Sequence, residues 1–207
     1  HPRESLMKRR FLLAARLVLA ALAASGCAGQ ATPSSSAPSA SATGPSAAVS
    51  PSCTPIGATA ATPCSQQQYD QLQQRRADYA EAERVYRAFA EADAALVASG
   101  RVADSSILSL LTSPMSESYV AARQRQHDRG LTGTGPFSLA YVRPAPERAQ
   151  GGEEVVLESC VDATHVMAYE AGKSLGLGKA SHDWTHLKRV GSEMKISSQE
   201  TEVLAKC

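Results

Sequence analysis

The residues of this chain best suited to chemistry are its five cysteines, because a thiol can be oxidised, can bind zinc or can be modified. With Cys27 set apart, Cys53, Cys64, Cys160 and Cys207 allow three disulfide pairings. Cys53 and Cys64 bracket a short flexible stretch, which favours a local bridge and leaves Cys160 for Cys207. Disulfides are favoured over a zinc site, since no CxxC spacing or histidine-rich cluster accompanies these thiols.

Cys27 closes a short apolar segment, residues 11–24, that follows Lys8-Arg9-Arg10. The segment suits a secretory signal and is too short for a membrane-spanning helix of about 20 residues, which is the alternative. Its ending, Ala24-Ser25-Gly26-Cys27, resembles the lipobox of bacterial lipoproteins. That resemblance implies that residues 1–26, an N-terminal extension and signal peptide, are removed. It also implies that Cys27 carries palmitate-type acyl chains, which would hold the protein on the extracytoplasmic face of the cell membrane.

Composition predicts a tether after the lipidated cysteine. Residues 28–52 are almost entirely Ala, Ser, Thr, Pro and Gly, and residues 27–65 are therefore expected to be a disordered spacer ahead of one domain at 66–207. Loss of the leader leaves 16 basic against 19 acidic residues, a net charge of about −3. A mildly acidic protein without a basic stripe argues against a nucleic-acid partner.

Helices are predicted in the first half of the domain and strands in the second. Apolar residues recur at helical steps over residues 66–99, and Gly100 ends that helix. Asp104 and Ser113 are expected to cap two shorter helices, with Gly130 after the last. Strands are predicted over 137–142, 154–161, 165–170, 184–190 and 194–204, with glycines between residues 172 and 178 in turns. This order predicts an α+β fold.

Ionisable residues of the predicted strands offer weak candidates for catalysis or metal binding. Glu158, Asp162 and His165 cluster along adjacent strands, but the polar face of any sheet explains them better. His182 and His186 share a strand face at a spacing of about 13 Å, too long for one metal ion. No cofactor loop or hydrolase motif is present in the sequence, so no cofactor is predicted.

The order of elements resembles a known group of proteins. It combines a long helix containing Val85-Tyr86-Arg87-Ala88-Phe89, a proline-started helix, a strand ending Cys160-Val161-Asp162 and a hairpin closing on Cys207. This pattern resembles small lipoproteins of high-GC Gram-positive bacteria whose domain belongs to the nuclear transport factor 2-like superfamily. The resemblance implies a cone in which a curved antiparallel sheet wraps the helices around an apolar cavity. It implies no single activity, because the superfamily includes enzymes, binding proteins and scaffolds.

The resemblance also directs attention to particular side chains. Similarity to ketosteroid isomerase and scytalone dehydratase would require an acid or base inside the cone, for which Asp93 is the first candidate; a solvated helix edge is its ordinary explanation. No ionisable pair stands out at inward positions. The expected cavity lining, for which ordinary core packing is the alternative, comprises Tyr79, Tyr86, Phe89, Val156, Trp184 and Leu187.

These observations favour a membrane-anchored extracytoplasmic lipoprotein whose domain binds a small apolar ligand or an envelope protein without catalysis. Two alternatives stay open. One is a cone-fold enzyme of the isomerase or dehydratase kind, and the other is a structural component of an envelope transfer or secretion machine. Burial of a paired acid inside the cavity would favour the enzyme, and an exposed apolar patch with a closed cone would favour the structural component.

Overall fold

The computed structural model describes residues 50–151 and 154–207, which all belong to one compact unit. The predicted α+β class is confirmed: after a small pair of strands come three helices and then antiparallel strands. The helices are α1 Gln66–Ser99, α2 Ser105–Leu108 and α3 Ser113–Asp128, and a 3₁₀ turn spans Pro146–Arg148. The strands are β1 Ser52–Cys53, β2 Thr62–Pro63, β3 Leu131–Thr134, β4 Ser138–Pro144, β5 Val155–Asp162, β6 Met167–Glu170, β7 Lys173–Leu177, β8 Ala180–Val190 and β9 Glu193–Leu204.

The long helix α1 begins and ends at strong local signals. The Ser65 hydroxyl accepts from the Gln68 amide, and the Gln68 side chain accepts from the Ser65 amide, which together form a capping box. Gly100 ends the helix in the left-handed conformation at φ 68°, which a residue without Cβ adopts at little cost. These bounds are the predicted ones, because both signals act within one turn of the helix end.

The two shorter helices follow their predicted caps closely. The Asp104 carboxylate accepts from the amides of Ser106 and Ile107 and so caps α2. For α3 the cap residue is Thr112, one position before the expected Ser113, and Pro114 lies in the first turn. The shift follows from the sheet, since the Thr112 amide donates to the carbonyl of Ile196 in β9 and orients the residue that precedes the helix.

The strands divide among a four-stranded sheet of order β4-β5-β8-β9, a three-stranded sheet of order β3-β6-β7 and the small pair β1-β2. The sequence did not indicate β3 and β7. Both are short and contain glycine, and the sequence pattern predicts a turn around Gly176 where the structure has β7. Pairing with β6 makes both of them strands. The β3–β6 pairing joins segments far apart in the chain, which local composition does not encode, whereas β6 and β7 form a hairpin.

A β-bulge in β9 decides which residues of that strand face the helices. His186 pairs with Ser198 but Leu187 pairs with Ile196, so Ser197 is the extra residue. Before the bulge Met194 and Ile196 are buried in the core. After the bulge the inward alternation passes to the odd-numbered residues Gln199 and Thr201.

The hydrophobic core lies between α1 and the side of the four-stranded sheet that packs on it, which we name the inner face. One cluster of buried residues joins the three helices to β5, β8 and β9. Its largest fully buried members include Tyr86, Leu96, Ile107, Leu157, Leu187 and Ile196.

Two disulfides cross-link the domain, Cys53 to Cys64 and Cys160 to Cys207, the pairs that the spacing of the cysteines favours. The first closes a loop that packs on the domain, since Cys53 is buried and Arg76 of α1 donates to the Thr54 carbonyl at 2.8 Å. Residues 52–65, which precede the expected start of the domain at residue 66, thus contain β1, β2 and the loop closed by this disulfide. Cys27 and the rest of the predicted leader and spacer before residue 50 lie outside the described residues.

Within the described part of the chain, no helix has both the length and the apolar character needed to span a membrane.

Candidate functional site: a cavity between the helices and the sheets

A cavity of about 750 Å³ lies between α1, α3 and the strands. Its walls are mostly apolar, and α1 supplies a continuous row at successive helical turns, Tyr86, Phe89, Asp93 and Val97. The three-stranded sheet lines the other side with Leu131 of β3 and Ala168 of β6. Phe137 and Val166 in the connecting loops complete that side. A large apolar cavity with a few polar groups is the usual form of a small-molecule site.

Asp93 and Tyr119 form a hydrogen-bonded pair in the wall of this cavity. The Tyr119 hydroxyl donates to Asp93 Oδ1 at 2.6 Å. Burial, followed by the hydrogen bond to Asp93, raises the pKa of Tyr119, so the hydroxyl keeps its proton and remains the donor. Tyr119 also packs edge-on against Phe89, with ring centroids 5.8 Å apart. Asp93 Oδ2 accepts no hydrogen bond from any residue that the structure describes.

A second acidic side chain, Asp183 of β8, lines the cavity opposite α1. It is only 4 % exposed, and burial raises the pKa of its carboxyl. Asp183 Oδ1 is enclosed and has no hydrogen-bond partner among the described residues, and the Ser181 hydroxyl donates to Oδ2 at 3.5 Å. Nearby, Tyr86 and Ser159 share a 2.6 Å hydrogen bond, and burial raises the pKa of Tyr86 to about 12.

Arg123 of α3 contributes a cationic group to the lining, although it is 7 % exposed. Its Nη1 donates to Gln126 Oε1, and its Nη2 donates to the carbonyl of Arg101 at 3.2 Å. Its Nε has no partner in the described chain. The guanidinium is thus held by neutral acceptors, and no carboxylate of the described residues forms an ion pair with it.

Two of the six side chains expected to line the cavity do so, Tyr86 and Phe89. Tyr79 lies two helical turns before Tyr86, in the packed core, with Arg75 over its ring at 5.4 Å. Leu187 is on the inner face but belongs to the same core. Tyr79 and Leu187 therefore pack in the hydrophobic core and do not line the cavity.

Val156 and Trp184 lie on the opposite, outer face of the four-stranded sheet. Alternation assigns Val155 and Leu157 to the core, which turns Val156 outward, and Trp184 pairs with Glu158 on that same outer row. Trp184 packs between Arg148, 4.2 Å from the ring centroid, and the His182 ring at 4.1 Å. The expectation that they face the cavity is wrong, because an apolar residue type does not reveal on which side of a strand it points.

The predicted group of Glu158, Asp162 and His165 does not form. Glu158 lies on the outer face, where it accepts from His182 Nε2 at 2.7 Å, from Tyr141 and from Arg143. The Arg143 guanidinium is the main reason that the pKa of Glu158 lies below its usual range. Asp162 accepts from the Thr164 amide and hydroxyl in a turn, and His165 is exposed.

The two histidines at residues 182 and 186 bind separate acids, since His182 pairs with Glu158 whereas His186 Nδ1 is 3.1 Å from Glu154 Oε1. No group of three or more His, Cys, Asp or Glu side chains in the described residues is placed to hold a metal ion.

The sequence reasoning missed Tyr119, Arg123 and Asp183, and its statement that no ionisable pair faces inward is wrong because Asp93 and Tyr119 meet in the cavity. A usable signal was present for one of them. Asp183 shares one face of β8 with Ser181 and Thr185, and the two histidines of that strand lie on the other, outer face. Strand alternation therefore places the aspartate inward. Tyr119 and Arg123 are one helical turn apart on α3, but no helical stripe of apolar residues marks their side of that helix.

Comparison with known proteins adds little to this geometry. No family model matches the chain, and no curated protein matches it in sequence. A solved structure that overlaps it is the crystal structure of the intermembrane space region of chloroplast protein ARC6, with 11 % identity and a TM-score of 0.42. The overlap covers 62 % of this chain and 97 % of that one, and is too loose to bear on function.

Proposed function

We propose that this chain is an extracytoplasmic lipoprotein, anchored through Cys27, whose folded domain binds a small and mostly apolar molecule. The observation that carries the proposal is the cavity of about 750 Å³ with apolar walls and a few polar groups. Its volume falls within the range of about 300–1,000 Å³ that is common for ligand sites. The lipoprotein part rests on the resemblance of Ala24-Ser25-Gly26-Cys27 to a lipobox.

The polar groups of the cavity support binding of an amphiphilic rather than a purely apolar molecule. Asp93 Oδ2 and the Gln199 and Thr201 side chains stand among alanine, valine and phenylalanine side chains. A purely apolar ligand would leave these groups without water and without a partner, at a cost in affinity. A ligand with one polar end and an apolar body satisfies both parts of the wall.

The two disulfides support the proposed extracytoplasmic location. Bridges of this kind persist outside the reducing cytosol, so a domain with Cys53–Cys64 and Cys160–Cys207 fits an oxidising, extracytoplasmic setting. Attachment to a membrane through acyl chains at Cys27 would place the cavity close to molecules of the cell envelope.

Calorimetric titration with 2-phenylethanol tests the binding function. The full chain is reconstituted in phosphatidylcholine nanodiscs, and empty nanodiscs supply the blank. The wild type should bind, and Ala94→Phe should abolish binding because Ala94 lines the cavity. The matched control is Ala95→Phe, which adds the same ring at the neighbouring exposed position of α1 and should bind normally. If both variants and the wild type give the same heat of 2-phenylethanol binding, the cavity is not the binding site.

A second candidate function, an isomerase or dehydratase of the cone fold, is favoured by one observation, the Asp93–Tyr119 pair in the cavity wall. A carboxylate with a free oxygen in an apolar site could remove a proton next to a carbonyl. The pair nevertheless suits binding better, because Tyr119 directs its only proton to Asp93 and has none left for a substrate oxygen.

Proton exchange separates the two functions without knowledge of the substrate. A small ketone, 2-tetralone, is incubated with the protein in D₂O, and loss of its α-proton signals is followed by NMR. If Asp93 is catalytic, the exchange should be faster with the protein than with empty nanodiscs, and Asp93→Asn should return the rate to that of the empty nanodiscs. Exchange at the blank rate in a sample that binds 2-phenylethanol favours the binding function.

A further inference from the structure

We infer, given that the cavity binds a ligand, that it selects compounds with a protonated amine on a short aromatic or aliphatic body, the ammonium being bound at Asp93 Oδ2. The inference deepens the proposed function and rests on it. It names the chemical class of the ligand, which neither the fold nor the apolar walls specify.

The first step is the hydrogen bonding of Asp93. Oδ1 accepts from Tyr119, while Oδ2 accepts from none of the described residues, and Asp93 lines the cavity. A carboxylate oxygen only accepts hydrogen bonds, so its partner must be a donor. A hydrogen bond from a charged N–H donor to a carboxylate is shorter than a hydrogen bond between two neutral groups, and it is roughly twice as strong.

The second step is the absence of a cation supplied by the protein. Among residues 50–151 and 154–207, no lysine, arginine or histidine forms an ion pair with Asp93. Arg123 is the cationic side chain among the described lining residues, but two of its nitrogens donate to Gln126 and to the Arg101 carbonyl, and its Nε has no partner in the described chain. A ligand ammonium would therefore supply the missing countercharge of Asp93.

The third step is a second buried acid. Asp183 also lines the cavity, and its Oδ1 is enclosed without a partner in the described chain. Two carboxyl groups thus share the lining with one guanidinium. Burial raises the pKa of Asp183, and a ligand cation nearby would favour its charged form, so this carboxyl can add attraction for a cationic ligand but not for an anionic one.

The fourth step is the aromatic surroundings of Asp93. Phe89 lies one helical turn away on the same side of α1, and Tyr119 packs against it edge-on. Rings beside a carboxylate are a common environment for ammonium groups, because a cation is attracted to a ring face as well as to the acid. Val97, one turn beyond Asp93, and Phe137 extend the apolar surface for the ligand body.

Three probes of one shape and different charge test the inference, namely 2-phenylethylamine, 2-phenylethanol and phenylacetate. Each is titrated into the full chain in neutral phosphatidylcholine nanodiscs, with empty nanodiscs as the blank. The amine should bind about tenfold more tightly than the alcohol, and the carboxylate should bind most weakly. An alcohol that binds as tightly as the amine would overturn the inference and leave the proposed function intact.

Variants locate the effect at Asp93. Asp93→Asn keeps an acceptor for Tyr119 and the shape of the side chain, so it should remove the preference for the amine while the alcohol binds as before. The matched control is Glu91→Gln, which removes the same charge from an exposed position of α1 and should retain the preference. An amine preference unchanged in Asp93→Asn would overturn the inference. If Asp93→Asn fails to fold, the order of the three probes on the wild type decides, and failure of all three to bind overturns the proposed function as well.

Discussion

The Tyr119 hydroxyl donates to Asp93 Oδ1 at 2.6 Å and thereby joins α3 to α1 across 26 positions of the chain. Both residues lie in the wall of the cavity. The contact therefore contributes to the packing of the two helices and also orients the acid that we propose to bind the ligand.

Tyr119→Phe should lower the free energy of unfolding by about 1–2 kcal/mol, because a hydrogen bond to a charged group is lost while water can reach part of Asp93. Urea denaturation followed by circular dichroism measures the change. Tyr69→Phe is the control, because Tyr69 lies on α1 and its side chain makes no hydrogen bond in the described chain, and this change should alter stability little. Equal losses for both variants would contradict the importance of the Asp93 contact.

Asp183 should make the wild type less stable as pH rises. Burial raises its folded-state pKa above the usual value of 3.8, so the folded state holds more protons than the unfolded state in the pH range between those two pKa values. Asp183→Asn has no charge to bury. The stability of the wild type relative to this variant should therefore fall as pH rises from about 4, and level off above the raised pKa. Denaturation midpoints at a series of pH values measure it, and a difference independent of pH would contradict it.

Both disulfides should stabilise the domain, and by different amounts. The chain-entropy model gives about 4 kcal/mol for Cys160–Cys207, at a separation of 47 residues, and about 3 kcal/mol for Cys53–Cys64, at a separation of 11. Paired Cys→Ala variants compared by urea denaturation test the order. An unfolding free energy equal to that of the wild type in the Cys53→Ala, Cys64→Ala variant would show that this disulfide does not stabilise the domain.

Cys27→Ala should abolish attachment of acyl chains, because the resemblance to a lipobox assigns the lipid to that thiol. Cells that express the wild type and the variant are grown with an alkynyl palmitate, and the purified proteins are compared for label. Only the wild type should be labelled. Absence of label from the wild type would refute the lipoprotein prediction and would leave the cavity proposals untouched.

The helices and the disulfide pairs could be predicted because their causes are local. The Ser65 capping box and Gly100 lie within one turn of the ends of α1, and the short loop between Cys53 and Cys64 favours their joining. The strands were harder to predict. Gly176, the fourth residue of β7, favours a turn, and only the pairing with β6 makes this segment a strand.

The candidate site depends on relationships that no local pattern contains. Asp93 could be identified as an acid among apolar positions, but its partner is on another helix and the opposing Asp183 is on a strand. Trp184 and Val156 were assigned to the wrong side, since hydrophobicity alone does not give the direction of a side chain in a strand with polar residues on both faces.

The α+β order of elements, the limits of the long helix and the favoured pairing of the cysteines follow from local features of the sequence, because capping, helical periodicity and loop length act over short distances. The cavity and its chemistry arise only when distant segments pack together. The one extra residue at Ser197 turns Gln199 and Thr201 inward, and the packing of α3 on α1 brings Tyr119 to Asp93. Register and helix packing depend on the whole core, so a side chain acquires its partner only when the chain has folded.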